Sequence, residues 1–280
     1  PPPPPFRCSL LLSTASRLSS SLLCSVTANR STFMVVQADT LPITTLDGLD
    51  LRQNQQFFFN STDIQSLVTT TLYGVPEIYA QSMQNETPVL FEMAEAYDIP
   101  VLVNTDPGLV AQTGSAVVTE DALRRVNAIV GGKLVIAFLS AAEIEEWLSI
   151  PLIQKSHLLI ATGFDTENPS QRGTLYSTAD IDNSLASTED LLPTLMNMLG
   201  CSADSGLYST GQNLIEPKRK WLISTSGEKI ILIHDGLRTE IMSNGSYEII
   251  DIATGNRSTA SLNTDLLSQA IKHMSRFSTN

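Results

Sequence analysis

Short apolar runs alternate with amphipathic segments between about residue 33 and residue 217. The apolar runs predict buried strands at 33–39, 100–104, 133–139 and 157–162. The amphipathic segments predict helices at 62–73, 88–97, 120–130, 141–148 and 190–199. We interpret 40–59 as irregular, with a short helix near 46–55, and 165–183 as a loop. Continuous apolar strands that alternate with helices are typical of a mostly parallel sheet covered on both faces.

The pattern changes near residue 217. Short strands are predicted at 221–225, 229–234, 238–242 and 247–252, and the turns between them contain Gly227, Gly236 and Asn244-Gly245. An amphipathic helix follows at 262–277. We therefore predict an α/β fold in which helices sandwich a mostly parallel sheet, followed by a C-terminal antiparallel meander and a terminal helix. The expected organisation is a leader (1–32, disordered or non-native), an α/β core (33–216) and a C-terminal subdomain (217–280).

Composition and chain features exclude several classes of partner and site. The formal net charge of −12 disfavours binding to nucleic-acid phosphates, so we expect no nucleic-acid partner. Three cysteines, widely spaced, are too few for a disulfide framework or a zinc site, and the three histidines show no metal-ligand spacing. No apolar run is long enough to span a bilayer. Because the chain starts with five prolines and no Met, we expect a fragment or a processed product.

Candidate chemistry begins at Asn60-Ser61-Thr62, directly before the first predicted helix. This order places the Thr62 hydroxyl at or beside a helix N-terminus, where unpaired backbone N–H groups favour an anion. The hydroxyl could attack a phosphate or sulfate ester, or it could cap the helix, and caps are the commoner case.

Several segments resemble the alkaline phosphatase/sulfatase superfamily in order and spacing. They are 59–62 (Phe-Asn-Ser-Thr), 72–76 (Leu-Tyr-Gly-Val-Pro), 87–90 (Thr-Pro-Val-Leu), 190–196 (Asp-Leu-Leu-Pro-Thr-Leu-Met) and 208–214 (Tyr-Ser-Thr-Gly-Gln-Asn-Leu). They are most similar to the periplasmic domains of YejM (PbgA)-type inner-membrane proteins. The resemblance covers about residues 33 to 280. It implies a sulfatase-like core, and membrane attachment through segments absent from this chain.

The resemblance also assigns site residues. Catalytic members use a carboxylate after the first strand, a Thr, Ser or Cys nucleophile, an Asp-His turn and a later His. Asp39 matches the first position and Thr62 the second, whereas Gly163 and Phe164 stand where the Asp-His pair would be. Thr188 or a neighbour replaces the last His.

The remaining carboxylates offer at most a reduced metal site. Asp39 and Asp165 could hold one divalent cation, Mg²⁺ or Mn²⁺, with waters completing its shell. The alternatives are a strand-end cap for Asp39 and a solvated loop acid for Asp165. Without a metal or a base, the hydroxyl of Thr62 keeps its proton and is a poor nucleophile.

Three hypotheses for the function follow from the resemblance. The first is a catalytically degenerate domain on the periplasmic face of the bacterial inner membrane, acting in lipid (lipopolysaccharide or cardiolipin) sensing or envelope regulation. Its partners would be lipid headgroups or envelope regulatory proteins. The second is a divergent metal-dependent phosphatase or sulfatase with Thr62 as nucleophile. The third is a degraded or misframed homologue with no function of its own.

Overall fold

Within the residues that it describes, the computed structural model contains a large mixed sheet, a smaller antiparallel sheet and a two-stranded pair. The described residues are 23–24, 30–37, 46, 48–83, 85–129, 131–165, 172–202, 204–217 and 219–277. The strands are β1 (Leu23–Cys24), β2 (Thr32–Gln37), β3 (Arg52–Phe58), β4 (Val101–Asn104), β5 (Val117–Thr119), β6 (Leu134–Leu139), β7 (His157–Thr162), β8 (Arg172–Ser177), β9 (Ala186–Ser187), β10 (Cys201–Ser202), β11 (Trp221–Ser226), β12 (Lys229–His234), β13 (Leu237–Ile241) and β14 (Tyr247–Asp251).

The large sheet has the strand order β5-β4-β6-β2-β7-β8-β3-β9. Strand β8 is antiparallel to both of its neighbours, β7 and β3, while the other pairs are parallel. Every strand of this sheet except β8 therefore ends at the same edge. We call this edge the carboxyl edge, where ligands of open parallel sheets bind.

Helices cover both faces of this sheet. They are α1 (Ile64–Tyr73), α2 (Ala80–Met83), α3 (Val89–Ala96), α4 (Ala122–Val126), α5 (Ala141–Leu148), α6 (Pro151–Gln154), α7 (Leu191–Met198) and the C-terminal α8 (Thr264–Met274). Strand β2 contributes to a hydrophobic core on each face of the sheet. Met34 and Val36 pack with α1, α3 and α7 on one face, whereas Phe33 and Val35 pack with α4, α5 and α6 on the other. A strand buried on both faces reads as a continuous apolar run, which explains why this part was predictable.

The C-terminal region forms the predicted meander. Strands β11 to β14 pair antiparallel in sequence order. Ala270 and Met274 of α8 pack against Ile223 and Leu232 of this sheet. The predicted fold class is confirmed.

Three local predictions were wrong. Residues 52–58 form strand β3 instead of a loop or helix, and 172–177 form β8 within the predicted loop. Strand β8 alternates between buried and at least partly exposed positions, and β3 is polar over its first five residues, so neither has the apolar run that marks a strand. The helix predicted at 120–130 is shorter, because β5 extends to Thr119 and α4 spans only Ala122–Val126.

The cysteines also differ from the expectation. Cys201 is disulfide-bonded. Strand β1 pairs with β10 so that Cys24 lies opposite Cys201. Spacing along the chain could not reveal this pair, because tertiary pairing brings together residues that are distant in sequence. None of the helices in the described ranges is long and apolar enough to cross a membrane.

Candidate functional site

Two chain segments leave the carboxyl edge side by side. Strand β3 leads into Asn60-Ser61-Thr62, and β9 leads into a 3₁₀ turn that spans Thr188–Asp190. The strands pair in parallel with Phe58 opposite Ser187, and the 3₁₀ turn packs against α1. We call the resulting group of Asn60, Ser61, Thr62, Thr188 and Glu189 the edge cluster. It lies where a sheet of this topology binds ligands.

Thr62 does not cap the helix that follows it. Helix α1 starts at Ile64, and Asp63 is its N-cap, because its carboxylate accepts a 2.7 Å hydrogen bond from the Ser66 backbone N–H. The capping interpretation of Thr62 is therefore wrong. The Thr62 hydroxyl instead donates a hydrogen bond to the Glu77 carboxylate.

The Glu77 carboxylate is held by four donors, which we call the donor cradle. Besides the hydroxyl of Thr62, the Thr62 backbone N–H lies 3.2 Å from Oε2 and the Ser66 hydroxyl 2.8 Å from Oε1. The fourth donor is the Gly227 backbone N–H in the β11–β12 turn, 3.0 Å from Oε2. The cradle therefore draws donors from both the α/β core and the C-terminal sheet.

A glycine at the end of α1 lets the chain turn back toward Thr62. Gly74 has a left-handed conformation with φ +64°, and its N–H closes the helix on the Thr70 carbonyl. A Cβ at Gly74 would lie 2.6 Å from the Ser209 hydroxyl, which donates to the Gly74 carbonyl. Only glycine satisfies both the backbone angle and this close approach.

Polar side-chain atoms without hydrogen-bond partners surround Thr62. The Asn60 amide and the hydroxyls of Ser61 and Thr188 are buried and have no partner among the described residues. Buried polar groups are normally paired with protein or ordered water. We therefore expect water, or a polar ligand atom, beside these three residues.

The edge cluster contains one buried acid, Glu189, and a second, Asp190, follows it in the chain. Oε1 of Glu189 accepts a hydrogen bond from the Ser224 hydroxyl, and burial raises the pKa of Glu189. Asp190 forms an ion pair with Arg219 and also accepts from the Ser187 and Gln212 backbone N–H groups. Burial raises the Asp190 pKa, against the opposing effect of Arg219. Both acids thus serve internal contacts.

Of the two predicted metal ligands, Asp39 and Asp165, the structure describes only Asp165. Asp39 lies outside the described residues, so its pairing with Asp165 stays a prediction. Asp165 is partly exposed and follows Phe164, whose ring is 1% exposed and packs in the core with Phe59 at 5.5 Å between centroids. The resemblance assigns the metal-binding pair to Gly163 and Phe164, and Phe164 is an aromatic core residue.

No histidine is among the described hydrogen-bond partners of Thr62 or Glu77. The three histidines all lie in described residues: His157 starts β7, at the opposite edge of the sheet, His234 ends β12, and His273 lies in α8 with Nε2 2.9 Å from the Thr210 carbonyl oxygen. No group of three or more His, Cys, Asp or Glu side chains suited to a metal occurs among the described residues. The described residues thus do not fit the metal centre that the resemblance implies.

A cleft opens next to the carboxyl end of β3. It encloses about 360 Å³ between the large sheet and the meander. Phe58 and Ile252 supply apolar surface, whereas Arg172, Asp235 and Asp251 supply charge. The cleft offers a place for an amphipathic ligand.

Sequence reasoning missed Glu77 altogether. Its role depends on the chain reversal after Gly74, and the residues around it carry no pattern that predicts the reversal. Glu189 and Asp190 were visible only as the acidic start of a predicted helix.

No protein-family model matches the sequence, and neither does any curated protein. Solved structures match the fold. A protein of the alkaline phosphatase superfamily from Vibrio parahaemolyticus has a TM-score of 0.67 at 10% identity, covering 96% of this chain and 94% of that one.

Two further structures share the fold. Phosphonate monoester hydrolase of Agrobacterium radiobacter has a TM-score of 0.57 at 10% identity, with 87% and 96% coverage of this chain and that chain. The C-terminal periplasmic domain of EcEptC from Escherichia coli has a TM-score of 0.50 at 11% identity, with 76% and 95% coverage. The predicted resemblance to the alkaline phosphatase/sulfatase superfamily is therefore confirmed for the fold. The finer resemblance to YejM-type domains stays a prediction.

Proposed function

Starting from a fold shared with the alkaline phosphatase superfamily, we propose that this chain is a sulfatase-like periplasmic domain of YejM (PbgA) type that binds ligands without hydrolysing them. Its role would be lipid (lipopolysaccharide or cardiolipin) sensing or envelope regulation at the inner membrane. The observation that carries the proposal is the hydrogen bond from the Thr62 hydroxyl to Glu77.

This contact opposes ester cleavage at Thr62. A carboxylate already occupies the place where the anionic oxygens of a phosphate or sulfate ester would meet the hydroxyl, and like charges repel. The β11–β12 turn also covers Thr62, since a Cβ at Gly227 would lie 3.5 Å from Thr62 Cγ2. Thr62 has no imidazole among its described hydrogen-bond partners, so activation of its hydroxyl would fall to Glu77.

Two observations support the periplasmic location and one supports a binding role. Disulfides persist in oxidising compartments, which include the periplasm, and Cys201 is disulfide-bonded. The fold is similar to that of the EcEptC periplasmic domain. The cleft beside Phe58 and Arg172 combines apolar and charged surface, as a lipid headgroup or an envelope protein would need.

One feature favours the hydrolase alternative. A carboxylate that accepts the proton of a hydroxyl is the arrangement that a general base requires, so Glu77 is positioned to act as the base for Thr62.

Turnover separates the two functions. p-Nitrophenyl phosphate and p-nitrophenyl sulfate should be assayed with Mg²⁺ or Mn²⁺ for the wild type, Thr62→Ala and the control Thr69→Ala, whose hydroxyl bonds the Gln65 carbonyl within α1. We expect all three proteins to remain at the same background. Turnover that disappears in Thr62→Ala and persists in Thr69→Ala would overturn the proposed function.

A further inference from the structure

We propose that Glu77 is an internal anionic ligand that a phosphate or sulfate group of an external ligand displaces, and that this exchange releases the β11–β12 turn from the core. We call Glu77 in this role the carboxylate latch. The inference rests on the proposed binding function and names both the chemical class of its ligand and its coupling to the C-terminal sheet.

The first argument is the chemistry of the donor cradle. Two backbone N–H groups, from Thr62 and Gly227, and two hydroxyls, from Thr62 and Ser66, converge on the two oxygens of one carboxylate. Hydrogen bonds to an ionised acceptor are stronger than neutral ones. Four such donors match the oxygens of a tetrahedral oxyanion as well as they match a carboxylate.

The second argument is the way the latch joins the two parts of the chain. Three contacts connect the core with the last residues of β11 and its turn. They are Glu77 with the Gly227 N–H, the Ile78 N–H with the Thr225 hydroxyl at 3.0 Å, and Glu189 with the Ser224 hydroxyl. Glu77 and Ile78 are neighbours in one 3₁₀ helix, Glu77–Tyr79. Of these described contacts, rotation of the Glu77 side chain out of the cradle breaks the one to Gly227 directly, and the Ile78–Thr225 contact lies at the adjacent residue.

The third argument concerns access. Glu77 is partly exposed and Ile78 is 49% exposed, so the Glu77 side chain can leave the cradle while Tyr79 of the same 3₁₀ helix, 5% exposed, stays packed in the core. The donor cradle can bind an external anion only in those molecules whose Glu77 side chain has left it. The apparent affinity of the wild type for phosphate is therefore reduced in proportion to the fraction of such molecules. The overall charge of −12 further disfavours free anions.

The test compares Glu77→Ala with Glu228→Ala. Both variants remove one negative charge, but Glu228 lies in the turn and contributes no oxygen to the cradle. Isothermal titration with inorganic phosphate should show binding to Glu77→Ala at least about tenfold tighter than to Glu228→Ala or the wild type. In the double variant Ser66→Ala/Glu77→Ala, which lacks one donor, we expect most of this gain to disappear.

A second measurement uses the wild type and so does not depend on the variant folding. In ¹⁵N-correlated NMR spectra, phosphate at tens of millimolar should shift the Thr62 and Gly227 amide signals together. A short-chain phosphatidic acid in a parallel titration tells whether a lipid phosphate competes better than the free ion; either source supports the latch.

Two results would overturn the latch. One is a folded Glu77→Ala that binds phosphate no better than Glu228→Ala. The other is a wild-type spectrum in which the Thr62 and Gly227 signals stay in place at saturating phosphate. Thr62-dependent turnover would instead overturn the proposed function, so the two failures are distinguishable.

Discussion

Gly211→Ala tests the packing that holds the edge cluster in place. Gly211 is buried, and a Cβ at this position would overlap the carbonyl group of Glu189 and lie 2.8 Å from the Asp190 backbone nitrogen. Ordinary contacts between heavy atoms are about 3.5 Å or longer. Because the opposing atoms are backbone, no side-chain rotation can relieve the overlap.

The expected loss is large. Overpacking of a core costs about 1–3 kcal/mol when side chains can adjust, and here the backbone must move. That movement also strains the hydrogen bonds from the Gly211 N–H to the Ser209 hydroxyl (2.8 Å) and from the Gln212 N–H to Asp190 (2.7 Å). We therefore expect the free energy of unfolding to fall by at least about 3 kcal/mol, which lowers Tm by roughly 6 °C or more.

Chemical denaturation and thermal melting followed by circular dichroism measure this loss, and Gly108→Ala is the matched control. The nearest atom to a Cβ at Gly108 is the Asp106 carboxylate oxygen at 3.2 Å, the end of a flexible side chain. The control should stay within about 1 kcal/mol of the wild type. A Gly211→Ala protein as stable as Gly108→Ala would refute the described packing of the 208–212 loop against Glu189.

Three further predictions concern the buried acids and the disulfide. Burial raises the Glu189 pKa above its usual 4.5, so the folded state keeps a proton that the unfolded chain releases, and stability falls as the pH rises above that value. Glu189→Gln cannot release this proton, so the difference between the Tm of the variant and that of the wild type should become more positive from pH 4.5 to pH 7.5. A Tm difference that stays constant over this pH range would contradict the prediction. Arg219→Ala leaves Asp190 buried without its ion-pair partner and should cost about 3–5 kcal/mol in denaturant titrations, whereas Arg52→Ala, which breaks an exposed pair with Asp180, should cost less than about 1 kcal/mol. Alkylation of the unreduced, denatured protein should leave Cys201 unlabelled in mass spectrometry, and labelling before reduction would contradict the disulfide.

The sequence predicted those parts of the fold in which a strand is a continuous apolar run or a turn contains glycine. Strands β2, β4, β6 and β7 are buried on both faces over most of their length and consist mainly of apolar residues, and Gly227 and Gly236 mark the meander turns. Strands β3 and β8 were missed because each has one exposed or polar side. Their place depends on pairing partners that are distant in sequence.

The site was predictable only in position. The sequence places Thr62 at or beside the N-terminus of the first predicted helix, and the structure agrees, because α1 begins at Ile64. It could not reveal that Asp63 is the cap or that Glu77 binds the Thr62 hydroxyl. The cap is a choice between the adjacent residues Thr62 and Asp63, whereas the Glu77 contact depends on where the backbone turns at Gly74 and Gly227, which is a tertiary property.

Divalent-ion binding tests most directly whether this edge of the sheet has lost its metal centre. Mn²⁺ should be titrated into the purified protein and the free ion measured by electron paramagnetic resonance, for the wild type, Thr62→Ala and Asp165→Ala. The account predicts that the wild type and both variants bind Mn²⁺ equally weakly, with no stoichiometric site. One tightly held ion per chain that is lost in Thr62→Ala or Asp165→Ala would contradict it.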